Sequence, residues 1–481
     1  MKKQAFNPYL PSCEYIPDGE PYVFGDRLYV YGSHDKFNGE AFCMNDYVCW
    51  SAPVDDLSDW RCEGVIYRRS QDPRNADGTH YMYAPDIVRG PDGRYYLYYT
   101  LDMIGIMAVA AGDSPTGPFE YYGEVRHASG AAVGEAKGDI YQFDPGVLLD
   151  DDGRVFLYTG FGAPVSESSE EKFMHGRRYE GAYCMELESD MLTVKGEPVC
   201  IIPQVSYSAG TEFEGHAFFE ASSIRKTGGT YYFIYSSINS HELCYAVSRY
   251  PDRGYSYGGT VVSNGDVGLN GWTTKHSSNY IGNNHGGMVR VKDQWYIFYH
   301  RHTNQHAFSR QGCAEPIEFD KNGRILQAEI TSCGLNGKPL RGTGRYEASI
   351  ACSLFSKDGA GFIYEIGDLS VHPYFTQTGE DREEQGDQYI ANMQDGAVAG
   401  FKYFDLTETR RIRIEISGNG KGYMEVMSGP EGSVCCRIPV DTGNPAAVME
   451  SKLNLHDDRA QLYFRFTGEG SINFHSFELE S

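Results

Sequence analysis

Short runs in which apolar and polar residues alternate recur through the first two thirds of the chain, and most of them are rich in tyrosine. The five runs most alike span residues 27–31, 94–99, 154–158, 230–235 and 294–299. Each follows a tight polar turn such as Pro91-Asp92-Gly93, which is typical of a β-hairpin. The 3.6-residue spacing of an amphipathic helix is nearly absent. The pattern therefore predicts an all-β chain.

An ionisable residue stands near the start of each repeating unit. The five are Asp18, Asp86, Asp144, Glu220 and His285, at spacings of 68, 58, 76 and 65 residues. A second hairpin completes each unit, so about residues 14–330 are predicted to form five units of four strands. In a β-propeller the first strand of every blade lines one central channel. The repeat predicts a five-bladed β-propeller over residues 1–335, with these side chains near its axis.

The pattern changes beyond the propeller. Residues 336–371 show no repeat and are predicted to form a linker or crossover. From residue 372, strict alternation in stretches such as 411–416 and 462–466 predicts a small, jelly-roll-like β-sandwich over residues 372–481. A length of 481 residues agrees with two domains.

The amino-acid composition argues against several classes of partner and site. The chain has 66 acidic and 42 basic residues and a net charge of −24, which argues against nucleic acid or an anionic membrane as partner. Its 37 tyrosines suit sheet packing and sugar-binding surfaces. The 12 cysteines include no Cys-x-x-Cys pair, so zinc-site spacing is absent. No signal peptide or membrane-spanning segment is visible, which predicts a cytoplasmic protein.

Three of the four acidic channel residues, Asp18, Asp86 and Glu220, are the first candidates for chemistry, and each has aromatic residues nearby. Burial and mutual repulsion both raise the pKa of a carboxyl group, so one stays protonated while another ionises. Such a pair suits hydrolysis of a glycosidic bond, in which one acid protonates the leaving oxygen and a carboxylate activates water or attacks the sugar. Glu212 and Glu214 are rival candidates for the acid.

Several motifs occur together in one order. They are Asn7-Pro8-Tyr9-Leu10 with Pro17-Asp18, Tyr31-Gly32-Ser33-His34-Asp35, Trp50-Ser51-Ala52, Tyr83-Ala84-Pro85-Asp86, Phe143-Asp144-Pro145 and Asn284-His285-Gly286. Through these motifs, about residues 1–335 resemble glycoside hydrolase family 43, a family of five-bladed propellers that hydrolyse glycosidic bonds with inversion. The chain departs from the family after Asp18 and after Glu220, where the local turns are expected to differ.

The resemblance implies a role for each candidate residue. Asp18 is expected to be the general base, Asp86 to orient the acid and adjust its pKa, and Glu220 to be the general acid. The implied substrate-binding residues are Arg310, Asp35, Trp50, Tyr83 and Arg301. A structural ion pair is the alternative role for Arg301.

The resemblance also implies that the chemistry requires no cofactor. In the family, the histidine equivalent to His285 lies near the channel axis, where a calcium or sodium ion is sometimes bound through waters. A hydrogen-bonded core histidine is the alternative. Asp144 resembles the third-blade aspartate of the family, and both a structural and a site role stay open for it.

The C-terminal region resembles a second family. Residues 388–406 are similar to a family 6 carbohydrate-binding module, a type that often stacks sugars on exposed aromatic residues. Trp is absent from residues 331–481, which removes the best stacking platform. This favours a domain that braces the propeller over a working sugar binder.

The function expected from the resemblance is an inverting, exo-acting glycoside hydrolase. Its partner is an oligosaccharide of plant type, from which it releases terminal α-L-arabinofuranosyl or β-D-xylosyl units. Loop-rich inserts at 160–181 and 203–219 favour a walled pocket, and hence cleavage at chain ends. Three alternatives stay open: a galactoside or galactofuranoside substrate, a retaining enzyme, and a propeller that binds sugar without catalysis.

Overall fold

A computed structural model describes residues 3–383, 387–443 and 447–481, and strands dominate it. The helical elements are short, of three to five residues each: Arg69–Gln71, Pro73–Asn75, Glu167–Ser169, Glu170–Met174, Val205–Tyr207, Gly334–Asn336, Ala348–Ile350 and Leu369–Val371. Among the described residues, no helix is long and apolar enough to cross a bilayer. The predicted all-β fold class is confirmed.

The first three blades each consist of four antiparallel strands paired in chain order. Blade I contains β1 Glu20–Phe24, β2 Arg27–Tyr31, β3 Tyr47–Pro53 and β4 Arg61–Tyr67. Blade II contains β5 Asp86–Arg89, β6 Tyr95–Thr100, β7 Met107–Gly112 and β8 Glu120–Glu124. Blade III contains β9 Gly146–Leu149, β10 Val155–Thr159, β11 Gly181–Leu187 and β12 Val199–Pro203. The tyrosine-rich runs are the second strands, buried between neighbouring blades.

The last two blades differ in size. Blade IV contains β13 Phe218–Thr227, β14 Thr230–Ser237, β15 Leu243–Ser248 and β16 Ser256–Val262. Blade V contains β17 Met288–Val291, β18 Gln294–Thr303 and β19 His306–Ile317, so the prediction of four strands in every blade is wrong for the fifth. After β19 the chain turns back and forms a bridge between Ala328 and Val262 of blade IV, so it does not extend the sheet of blade V.

The propeller closes between blades I and V. Gly19, which precedes β1, pairs in parallel with Gly286, which precedes β17. The N-terminal segment fastens this joint, because the Asn7 side chain donates to the carbonyl of Ala314 at 3.0 Å and to the Glu315 carboxylate at 2.8 Å. Closure fixes the five inner strands around one axis.

Within the described residues, twelve strands form the C-terminal module. In chain order they are β20 Leu340–Arg341, β21 Gly344–Glu347, β22 Ser353–Phe355, β23 Tyr374–Gln377, β24 Gln388–Met393, β25 Val398–Asp405, β26 Arg411–Gly418, β27 Lys421–Met427, β28 Val434–Asp441, β29 Ala447–Lys452, β30 Ala460–Glu469 and β31 Ile472–Glu480. One sheet holds β20, β22, β25, β27, β28 and β30, and the other holds the remaining six. Side chains such as Phe401, Phe464 and Phe477 fill the space between the sheets, as in a β-sandwich.

The boundary between the modules differs from the predicted linker over residues 336–371. Within that span, β20 and β22 pair with β25, and β21 pairs with β31, so the sandwich begins near Leu340. Residues 358–364 then return to the propeller, where Ile363 donates to the carbonyl of Ile281 at 2.8 Å. We call residues 358–364 the return segment. The sequence of residues 336–371 shows no repeat because its strands pair with strands far away in the chain and do not form hairpins with their neighbours.

A buried ion cluster joins the two modules. The Lys402 ammonium of β25 lies 2.9 Å from Asp266 and 3.0 Å from Glu329, both in the propeller. Tyr403 donates to the second oxygen of Glu329 at 2.5 Å. Because a buried charge without its partner is costly, this cluster favours one fixed arrangement of propeller and sandwich.

Candidate active site

One cavity of about 440 Å³ lies at the mouth of the propeller channel. All five blades contribute to its lining, through Asp18, Ala84, Asp144, Glu220 and His285 in blade order. The volume is in the range usual for small-ligand pockets. Three carboxyl groups from three different blades therefore face one enclosed space.

Asp18 is held from several sides. It lies two residues before β1, with a positive φ of 57° that turns its side chain into the channel. Its carboxylate accepts hydrogen bonds from Ser33 and, at 3.1 Å, from the Arg310 guanidinium. The Nδ1 of His300 lies 3.3 Å from the same oxygen that Arg310 contacts. Asp18 is 5% exposed, so these contacts replace most of its water.

Arg310 is itself fixed by Asp35. The guanidinium donates to both oxygens of the Asp35 carboxylate, at 2.8 and 2.9 Å, in the bidentate geometry that arginine favours. Asp35 is fully buried and lies behind Arg310, outside the cavity lining. The implied substrate contact of Asp35 is thus corrected: it orients Arg310, which does line the cavity.

Glu220 reaches the cavity through an irregular part of β13. The pairing of β13 with β14 shifts register on both sides of Glu220, and Ala221 has a φ of 68°. Burial, and secondly the charge of Asp18, raise the pKa of Glu220 to about 8, while Arg310 opposes this shift. The carboxyl group is therefore mostly protonated at neutral pH, as a general acid must be.

The rival acids lie elsewhere. Glu212 is exposed and accepts from the backbone of Tyr257 at 3.1 Å, and Glu214 is exposed and accepts from the backbone of Gly210 at 2.9 Å. Neither residue lines the cavity. The structure favours Glu220 over both.

Asp144 is the third carboxyl group of the cavity. It lies two residues before β9 with a φ of 46°, in the same relation to its blade as Asp18. Its Oδ2 accepts from the backbone N–H of Ala221, the residue after Glu220, at 3.0 Å. Burial first, and then the charges of Glu220 and Asp18, raise the pKa of Asp144 well above its usual range. Asp144 therefore contacts the strand that carries the acid.

Asp86 does not reach the cavity, and its predicted contact with the acid is corrected. It is the first residue of β5, one step deeper in the channel than Asp18 and Asp144. Its carboxylate accepts from the Tyr22 hydroxyl and from the backbone of Ile87 and Val147, each at 2.7 Å. The residue two before β5 is Ala84, which does line the cavity. Blade II thus contributes a methyl group where blades I and III contribute carboxylates.

Two of the implied substrate-binding residues are structural. The indole N–H of Trp50 donates to Glu14 at 2.6 Å, and its ring packs in the propeller core. Arg301 is buried and donates to the carbonyls of Ser349 and Ala351, at 2.7 and 3.1 Å, which join the propeller to the start of the sandwich. Their side chains lie outside the cavity because the alternation of their strands turns them toward the core and the module boundary.

Phenylalanine and tyrosine rings form a large part of the cavity wall. Tyr83 lines the cavity as predicted, and its ring packs edge-on against Phe143 with centroids 5.5 Å apart. The insert at 160–181 supplies Phe161 and Phe173, which confirms that this loop walls the channel. The sequence did not predict that the return segment supplies Phe362 and Tyr364. Only the long-range pairing of that segment reveals them.

His285 lies near the axis as predicted. Its Nδ1 is 3.5 Å from Asp144 and its Nε2 is 3.9 Å from Glu20, and burial lowers its pKa. Within the described residues, neither ring nitrogen nor the Oε1 of Glu20 has a hydrogen-bond partner. Glu20 already pairs with Arg225 at 2.7 Å, so His285 and Asp144 are the residues that could hold a hard cation through water molecules, whose oxygens such ions prefer.

Comparison with known proteins agrees with this geometry. The family model described as Glycosyl hydrolases family 43 matches residues 15–325. A Thermoclostridium stercorarium protein named Xylosidase/arabinosidase is 51% identical over 100% of this chain and 99% of its own length. A Bacillus subtilis (strain 168) protein named Arabinoxylan arabinofuranohydrolase is 28% identical over 95% of this chain and 88% of its own.

A solved structure shares the fold along nearly the whole chain. It is a family 43 arabinoxylan arabinofuranohydrolase from Bacillus subtilis in complex with cellotetraose, with a TM-score of 0.53 and 20% identity. The alignment covers 99% of this chain and 97% of that one, so the propeller and the sandwich both have counterparts there. With a matching family model, a full-length relative and carboxylates converging on one pocket, the chain belongs to glycosyl hydrolase family 43 and is a glycosidase.

Proposed function

We propose that this enzyme releases terminal pentosyl units, α-L-arabinofuranosyl or β-D-xylosyl, from oligosaccharides with inversion at the anomeric carbon. The observation that supports this most is the convergence of Asp18, Asp144 and Glu220 in one walled pocket. Inverting hydrolysis needs one protonated and one ionised carboxyl group on opposite faces of the sugar. Nothing in the described residues favours a galactoside substrate over a pentoside.

In this mechanism, Asp18 is the general base. Its carboxylate takes a proton from a water molecule, whose oxygen attacks the anomeric carbon. The Arg310 guanidinium, 3.1 Å away, holds the Asp18 carboxylate in place for this step. On the opposite face Glu220 gives its proton to the glycosidic oxygen, and the bond between that oxygen and the sugar breaks. Asp18 ends protonated and Glu220 ionised, and solvent restores both.

Asp144 takes the role that the family resemblance assigned to Asp86. It holds the backbone of Ala221 and so fixes the strand position of Glu220. The two groups also interact electrostatically, since the charge of Glu220 is one cause that raises the pKa of Asp144, after burial. The reaction needs only protons and water. A calcium or sodium ion held through water by His285 and Asp144 would supply positive charge to the acidic channel.

The side chains and loops that line the pocket suit a terminal pentosyl unit as substrate. Aromatic faces such as Phe143, Phe161 and Phe219 offer apolar contact to the carbons of a small sugar ring. The insert at 160–181 and the return segment close the sides of the channel mouth, which suits a chain end better than an internal unit. The names of the relatives from Thermoclostridium stercorarium and Bacillus subtilis point to pentosides.

The first test is pentose release by variants of the acid and base. We expect Asp18→Asn and Glu220→Gln each to lower kcat on pentose disaccharides by about 10²–10⁴-fold, because each removes a proton-transfer group. Glu212→Gln, on the exposed rim, is the matched control and should retain activity. Wild-type rates in either site variant would contradict the assignment.

The second test is pH dependence. Because the pKa of Glu220 is raised to about 8, the acid keeps its proton at neutral pH and loses it as pH rises through that value. We expect kcat/KM to fall on the alkaline side near pH 8. In Glu220→Gln, the residual activity on an aryl pentoside should lack this decline. A decline of equal size in the variant would show that another group titrates.

The third test separates Asp144 from Asp86. We expect Asp144→Ala to lower kcat by about 10- to 100-fold, because it removes the oxygen that accepts from the backbone of Ala221 and so leaves the acid misplaced. Asp86→Asn should leave kcat nearly unchanged and lower the free energy of unfolding by about 1–3 kcal/mol, because a buried hydrogen-bond group is left without its partner. Kinetics and urea denaturation of both variants measure this. The reverse pattern would restore the role first implied for Asp86.

A further inference from the structure

His241 is a pocket residue to which the proposed mechanism gives no role. It lies in the turn between β14 and β15 and lines the cavity with its side chain 13% exposed. Its Nδ1 is hydrogen-bonded to the Ser236 hydroxyl at 3.2 Å and lies 3.7 Å from Oε1 of Glu220, so an N–H on Nδ1 is shared between these two oxygens. Within the described residues, no other Lys, Arg or His nitrogen lies within 4.0 Å of the Glu220 carboxyl group.

The turn that carries His241 has an unusual backbone. Ser240 and His241 both have left-handed conformations, with φ of 58° and 53°. Consecutive non-glycine residues in this region are uncommon, and they persist where the surroundings determine them. Here the buried Glu242 carboxylate accepts from His216 at 2.8 Å and from Asn239 at 3.2 Å. The turn therefore presents His241 in one fixed direction.

Two aromatic rings clamp the imidazole. Phe219 packs edge-on against it at 4.5 Å, and Phe362 of the return segment lies parallel to it at 5.8 Å. This burial lowers the pKa of His241 to about 4, so the ring is neutral at working pH. A neutral imidazole carries one N–H donor and one lone pair. It can hydrogen-bond a carboxyl group without adding a positive charge that would draw off the proton.

A hydrogen-bond donor at one carboxyl oxygen determines where the acid proton resides. If an N–H points at Oε1, a proton on that oxygen would face another hydrogen, so the proton occupies Oε2. The distance of 3.7 Å is longer than a hydrogen bond, but such contacts often shorten when substrate binds. Charged or titratable groups facing Glu220 from other blades are Asp18, Asp144 and Arg310, with Tyr364 on the return segment.

We propose that His241 is a positioning residue for the general acid: its neutral imidazole donates to Oε1 of Glu220 and so directs the acid proton from Oε2 toward the leaving oxygen. This inference rests on the proposed function, in which Glu220 is the acid. It also gives the return segment a part in catalysis, because Phe362 holds the ring from the sandwich side.

The test compares His241→Asn with His241→Leu. Asn places an amide N–H near the position of Nδ1 and tolerates a left-handed backbone, whereas Leu has a similar size without a polar atom. Each variant is assayed on a 4-nitrophenyl pentoside, whose leaving group departs without a proton, and on the disaccharide of the same pentose, whose leaving group needs one. Thermal unfolding confirms that both variants are folded.

We expect His241→Leu to lower kcat on the disaccharide by about 10- to 100-fold, with little change on the aryl pentoside. This is the size of one hydrogen bond to the carboxylate that Glu220 becomes as its proton leaves. His241→Asn should restore most of the disaccharide activity. Equal losses on both substrates, no loss on either, or a failure of Asn to rescue would each overturn the proposal.

The variant Glu220→Gln separates a failure of the proposed function from a failure of the role proposed for His241. If Glu220 is the acid, this variant loses far more activity on the disaccharide than on the aryl pentoside, whatever His241 does. Absence of that difference in Glu220→Gln would overturn the proposed function. If Glu220→Gln shows this difference between the two substrates and His241→Leu does not, only the role of His241 would be overturned.

Discussion

The mutual repulsion of three buried carboxyl groups is the constraint on which the rest of this site depends. Asp18, Asp144 and Glu220 come from separate blades and meet in one pocket, where burial and like charge raise the pKa of the latter two. The Arg310 guanidinium, fixed by Asp35, offsets the charge at Asp18. The propeller supplies the rigidity that holds such groups together, and in the proposed mechanism Asp18, beside Arg310, is the base and Glu220 is the acid.

The same backbone position faces the pocket in several blades, although its side chain is not the same in all of them. The residue two positions before the inner strand faces the pocket in the first three blades: Asp18, Ala84 and Asp144. The first residue of the inner strand lies deeper, where Glu20 and Asp86 join the blades through hydrogen bonds beneath the pocket. The residues two positions before the inner strands thus line the pocket, and Glu20 and Asp86, the first residues of two of those strands, hold the blades together beneath it.

The sequence predicted the propeller repeat and the sandwich, because alternation and hairpin turns are local signals. The roles of Asp18 as base and Glu220 as acid came from the family resemblance and stay predictions. From the sequence, Asp86 was assigned the position that Asp144 occupies, because blade II was aligned two residues too late. The correct alignment compares the residues before the prolines, so that Ala84-Pro85 corresponds to Asp144-Pro145. Trp50 and Arg301 lie in strands and Asp35 lies in the connection after β2, and no local pattern shows that their side chains face away from the pocket. Phe362 and His241 reach the pocket through contacts between segments far apart in sequence, which alternation cannot reveal. The likeness of the sandwich to family 6 modules stays a prediction.

The sandwich contributes to the pocket wall through the return segment, so it is part of the enzyme's architecture and more than an appended domain. The central claim is that Asp18 activates water on the face of the sugar opposite Glu220. Proton NMR during the first turnovers of a pentoside tests it most directly. The account predicts that the first sugar released has the anomeric configuration opposite to that of the substrate; release of the same anomer would contradict it.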